Sequence, residues 1–111
     1  MKMRFPILAL LAVTMGCGVA QAQSLDAKSA GDLMAKAACN ACHQIDKKAV
    51  GPAYKDVSAK YKGNAKAVEL LADKVRKGGM GVWGPIPMPP NPKEKISDED
   101  IKRLVAWILT L

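Results

Sequence analysis

The sequence predicts an all-α domain, and three observations support that reading. Four segments repeat apolar residues at helical spacing. No stretch shows convincing apolar/polar alternation with a period of two. The one long segment that fits neither pattern, Gly78 to Lys95, holds five of the chain's seven prolines. Proline fixes φ and lacks an N–H donor, so that segment is neither helix interior nor central strand.

The first helix is expected over Asp26 to Ala38, where Ala30, Leu33, Met34, Ala37 and Ala38 share a face. A second, short one follows Gly51-Pro52, because a proline at a helix start forfeits only an N–H that has no partner there. Tyr54, Val57, Ser58 and Tyr61 then recur at helical spacing. The third begins at Asn64, a good N-cap, and stops at Gly78; Val68, Leu71 and Val75 form its stripe. The fourth is capped by Ser97, and Asp98, Glu99 and Asp100 set negative charge against its positive end. Ile101, Leu104, Val105, Ile108 and Leu111 make its apolar face, widened by Trp107. A loop as long as Gly78–Lys95 in a small domain is functional or disordered, and its prolines favour order.

The N-terminus reads as an export signal. Lys2 and Arg4 are followed by an apolar run, Phe5 to Val13, too short to span a bilayer, and then by Ala20-Gln21-Ala22 as a cleavage site. The expected division is a signal over 1–22 and one domain over 23–111, with Cys17 leaving with the signal. A lipoprotein signal acylated at Cys17 is the competing reading. No second hydrophobic run follows, so no membrane insertion is expected. The formal charge is +7 from 17 Lys and Arg against 10 Asp and Glu. Without Lys2 and Arg4 the 15 remaining basic residues still exceed the 10 acidic ones, which favours acidic partners. The lysines are dispersed rather than clustered, and with export this excludes nucleic-acid binding. A domain this small commonly needs a staple such as a metal, a disulfide or a cofactor.

Cys39-Asn40-Ala41-Cys42-His43 supplies the candidate staple. C-x-x-C-H is a c-type haem attachment pattern. Two thiols three residues apart reach the two vinyl groups of one haem, and the next residue sets its imidazole under the iron. Three other readings use the same residues: a redox dithiol, which needs a βαβ context; half of a zinc site, which needs four ligands; or a plain disulfide. An electron-carrying haem also needs a sixth ligand, and methionine opposite histidine raises the reduction potential. Three methionines follow the signal. Met34 lies on a helical face and reads as core. Met80 sits in the flexible run Gly78-Gly79-Met80-Gly81. Met88 sits among Pro85, Pro87, Pro89 and Pro90, which lower the entropic cost of ordering the loop. Met88 is therefore the expected ligand.

With CNACH, VGPAYKDV from Val50 and GVWGPIPMPPN from Gly81, nearly the whole mature chain resembles the small bacterial class I cytochromes c of the c-551 type. The resemblance implies about four helices wrapped around one covalently attached haem, with the first and last helices crossing. It implies that Cys39 and Cys42 bind haem c, and that His43 and Met88 are the axial ligands. Pro52 matches the proline whose carbonyl accepts from the ligating histidine. Trp83 matches a tryptophan that donates to a haem propionate, and Asn91 an asparagine near the methionine sulfur. Lys74 stands where the family can carry an arginine near a propionate. Lysine lacks that planar fork.

The function these readings imply is a monomeric periplasmic one-electron carrier, not an enzyme. Electrons pass through a haem edge rimmed by residues such as Val50 and Pro89, with Lys47 and Lys48 facing acidic partners. The resemblance implies an upstream quinol-oxidising donor and a downstream terminal oxidase or reductase, nitrite reductase among them. The rivals are a gas or peroxide site if Met88 does not bind, a thiol oxidoreductase, and a module of a larger complex. The chain's own signal and its end at Leu111 favour the free carrier.

Overall fold

The computed structural model describes Gly16 and residues 24–111. The expected cleavage site and Cys17 lie outside the described residues, as does the apolar run before them. Four helices follow in order: α1, Ala27–Lys36; α2, Tyr54–Tyr61; α3, Ala67–Lys77; and α4, Asp98–Ile108. A single 3₁₀ turn, Cys39–Ala41, lies between α1 and α2. Among the described residues there is no strand, and extended pairing is confined to one antiparallel bridge, Gly79 with Met88. No described helix is long and apolar enough to cross a membrane.

Helix α4 organises the core. Its Ile101, Leu104, Val105 and Ile108 are buried, and it packs against α3, α1 and α2. Ala30, Met34 and Ala37 meet it from the first helical segment, Leu71 and Ala72 from α3, and Tyr54 from α2. Met34 is thus a core residue, 3% exposed. Full burial of a side chain such as Ile101 stabilises the fold by about 1.5–3 kcal/mol. Ser97 caps α4 by accepting from Asp100 N–H at 3.1 Å, and Asp26 caps α1 by accepting from Ser29 N–H at 2.7 Å. Ser58 of α2 closes the far end of α4 with a hydrogen bond to the Leu109 carbonyl.

Two helix boundaries differ from the sequence reading. Asn64 does not cap α3. Its side chain accepts from Lys66 N–H at 2.9 Å and closes a turn just ahead of the helix, which starts at Ala67. Helix α1 stops at Lys36, because Ala38 adopts a left-handed conformation with φ 59° and ψ 25°. That conformation is costly for a residue with a Cβ. It reverses the chain directly before Cys39, so the cysteines leave the helix axis on a turn of their own.

Two predictions follow from these ends. Ala38→Gly relieves the left-handed strain and raises stability by about 0.5–1 kcal/mol, read as an increased urea midpoint; an unchanged or lowered midpoint contradicts the strain. The second concerns Asp98. The hydrogen bond from Arg76, then the charges of Arg76 and Lys93, hold its carboxyl below the ordinary 3.8. Its stabilising contribution is therefore complete above 3.8 and is lost as pH falls through the lower folded value. Urea midpoints of wild type and Asp98→Asn should differ at neutral pH and converge in acid below that value.

Candidate haem-binding site

After Ala38, Cys39 to His43 wind into one tight turn. The Cys39 carbonyl accepts from Cys42 N–H at 3.1 Å and from His43 N–H at 3.0 Å. Both thiols are half-buried and unbridged. They line, with His43, a cavity of about 360 Å³. This lies within the range of small-molecule and cofactor sites. The cavity's other walls come from α2, α3, α4 and the proline-rich loop, with Leu71, Val75, Ile101, Leu104 and Val105 among the lining residues. Core and cavity therefore share one apolar face of α4.

The His43 ring is held from several sides. Pro52 O lies 2.8 Å from Nδ1. A carbonyl only accepts, so Nδ1 carries the proton, and the Nε2 lone pair remains available to a metal. Tyr54 stacks on the ring at 5.1 Å between centroids and 20° between planes. Gly51 donates to the Cys42 carbonyl at 2.7 Å, and a Cβ on it would stand 2.6 Å from His43 Cε1. Only glycine fits beside the imidazole. Burial, then the nearness of Cys39 and Cys42, pushes the Tyr54 phenol above its ordinary 10.0. Burial likewise pushes the Cys39 thiol up from 9.0. The run VGPAYKDV, which contains both Gly51 and Tyr54, is the sequence signal for these two supports.

Met88 lines the cavity and is partly buried. Its main chain is fixed on both sides: Met88 N–H donates to Gly79 O at 2.8 Å, and Gly79 N–H donates to Met88 O at 3.0 Å. Gly78, at φ +69°, makes the approach possible, since a Cβ there would collide with the Met88 carbonyl oxygen. The glycines that read as flexible are thus the other half of the methionine's mount. Met80, between Gly79 and Gly81, also lines the cavity but is 65% exposed.

The remaining expected residues are placed as follows. Trp83 lines the cavity mouth, partly exposed, with Lys60 Nζ 5.5 Å from its ring centroid. Lys74 lines the cavity too, its ammonium lying close over Gly79. Asn91 is buried and is not part of the cavity lining. Its amide nitrogen donates to the Val75 carbonyl at 3.0 Å, its N–H to Arg76 O at 3.1 Å, and its carbonyl accepts from Arg76 Nη1 at 2.8 Å. Asn91 thus anchors the loop to the end of α3. Arg76, which no sequence motif marks, faces Asn91 on one side and Asp98 on the other.

The cytochrome c family model matches residues 28–111. The chain belongs to the cytochrome c family. It is 45% identical to cytochrome c-551 of Pseudomonas aeruginosa over 106 residues, covering 96% of this chain and 95% of that one. It is 52% identical over 85 residues to cytochrome c-552 of Nitrosomonas europaea, covering 77% and 81% of the two chains. The crystal structure of wild-type Nitrosomonas europaea cytochrome c552 superposes with a TM-score of 0.68 at 53% identity, over 73% of this chain and 98% of that one. The cofactor is one haem c, attached through Cys39 and Cys42. The residues present fit it: adjacent unbridged thiols on one turn, an oriented imidazole and an apolar cavity. The protein is a small electron-carrying haem protein of the class I fold.

Asn91→Ala should destabilise the protein by about 1–3 kcal/mol, because it strips a buried donor from the Val75 carbonyl. Chemical denaturation of the haem-bound protein measures this, and a change under a few tenths of a kcal/mol contradicts the anchoring role.

Proposed function

We propose that this protein is a periplasmic one-electron carrier whose haem iron is held axially by His43 and Met88. The observation that carries the reading is the mounting of Met88. Of the three methionines that follow the signal, it alone combines cavity lining, partial burial and a main chain hydrogen-bonded through both N–H and C=O. Met34 is packed in the core, and Met80 stands largely in solvent.

Bound haem supplies a ferric/ferrous couple, and the chain's residues confine it to that use. The Pro52 carbonyl fixes the imidazole plane and strengthens His43 as a donor. The paired Met88 backbone keeps the thioether from yielding its place to water. Trp83 lines the cavity and would donate to a haem propionate. Val50 and Pro89 also line the cavity and would form part of the apolar contact through which electrons pass to a partner. Lys47 and Lys48, exposed beside Val50, would steer acidic partner surfaces. Weak, quickly released complexes suit such a carrier.

The physiological route runs from an upstream quinol-oxidising donor to a terminal reductase or oxidase, with nitrite reductase one candidate acceptor. Export is supported by the Lys2/Arg4, apolar and Ala-Gln-Ala pattern at residues 1–22.

The test is expression of the full chain in a host that attaches c-type haem. Wild type should show covalent haem, the weak ferric band of iron–sulfur ligation, and no carbon monoxide binding. Met88→Ala should lose that band, bind carbon monoxide and shift to a lower potential. Covalent haem without the band in wild type, together with carbon monoxide binding, overturns the Met88 assignment.

A further inference from the structure

We infer that Arg76 is a positioning residue for the axial methionine: it locks the C-terminal end of the methionine loop and so sets how readily the thioether leaves the iron. The inference rests on the reading of Met88 as ligand.

Only two residues in the run 87–92 carry a main-chain N–H, Met88 and Asn91. Met88 is bonded to Gly79, and Asn91 to the Arg76 carbonyl. The Arg76 side chain then returns to the same residue, donating from Nη1 to the Asn91 carbonyl at 2.8 Å. Its Nη2 and Nε donate to Asp98 Oδ1 at 2.7 and 3.2 Å. One guanidinium therefore joins the end of α3, the end of the loop and the first residue of α4. Between Met88 and Asn91 stand Pro89 and Pro90, whose fixed φ transmits the anchoring to the methionine. The Asp98 carboxylate is largely exposed, and an exposed ion pair alone contributes little. What makes this one matter is its orientation of a mostly buried fork onto the carbonyl of buried Asn91. Lysine can reach the carboxylate or the carbonyl but does not span both as a planar fork does.

The loop is a local opening unit. Its release detaches Met88 without unfolding the four helices. A bond that holds the loop should therefore change ligand release more than global stability.

The test compares haem-bound wild type with Arg76→Met, Arg76→Lys, Asp98→Asn and a core control, Ile101→Val. Two melts are recorded on the ferric protein, loss of the iron–sulfur band and loss of helical circular dichroism, together with the rate of imidazole binding. Arg76→Met should lose the band at a lower temperature while the helix melt moves less. It should bind imidazole about tenfold faster, the loss of roughly one charge-assisted hydrogen bond. Arg76→Lys should fall between it and wild type. Asp98→Asn should open the same gap more weakly, and it decides the matter if Arg76→Met does not fold. Ile101→Val should move both melts together. If the Arg76 and Asp98 variants also move both melts together, or leave imidazole binding unchanged, the inference is overturned while Met88 ligation stands. A wild type without the band overturns both.

Discussion

The pair of main-chain hydrogen bonds between Gly79 and Met88 is the constraint on which the site depends. A segment built on alternating prolines cannot make secondary structure of its own, because most of its residues have no N–H to give. Its order must come from the few donors left and from acceptors elsewhere. Here both donors in 87–92 are engaged, one with the glycine pair and one with the end of α3. Proline limits the conformations the loop can explore, and these bonds select one of them. Stiffness without the bonds would leave the sulfur rigidly mounted in the wrong place.

The same economy governs the histidine side. The chain reverses at left-handed Ala38, the 3₁₀ turn presents both thiols and the imidazole on one cavity wall, and Pro52 and Tyr54 hold the ring. These supports come from the segment that leads into α2, and α2 is seated on α4 through Tyr54 and Ser58. Helix α4 therefore underlies the supports of both His43 and Met88. It carries the shared apolar face, and at its start Asp98 receives the Arg76 fork.

The helices were legible because their determinants are local. Asp26, Ser97, the acidic first turn of α4 and the stop at Gly78 act within a few residues, and periodicity picked out Met34 and the α4 stripe. The heme-attachment motif was legible for the same reason, being five consecutive residues. What sequence could not reveal were bonds between distant segments. Gly78 and Gly79 looked like slack because a glycine's purpose depends on what approaches it: here the Met88 carbonyl crowds Gly78, and Gly79 exchanges two main-chain hydrogen bonds with Met88. The amide hydrogen bond of Asn91 closes on a helix end sixteen residues earlier, which no local pattern announces. Nothing local distinguishes Arg76 from Lys74 and Lys77, the other basic residues in the last turn of α3. Asn64 and Ala38 show the limit at boundaries: each has the right local chemistry for its expected role, and each is claimed by a turn next to the helix instead.

The dependence on α4 bears on how the protein is made. A chain is synthesised from its N-terminus, so Cys39, Cys42 and His43 emerge well before residues 98–108 exist. Until then Ala30 and Met34 lack the surface they pack on, and the cavity lacks a wall. The order of the elements along the chain thus leaves both thiols accessible while the fold is incomplete. The last helix closes the structure over them. The attachment residues stand early in the chain and the closing helix stands last, an arrangement suited to fixing a large cofactor before the core shuts.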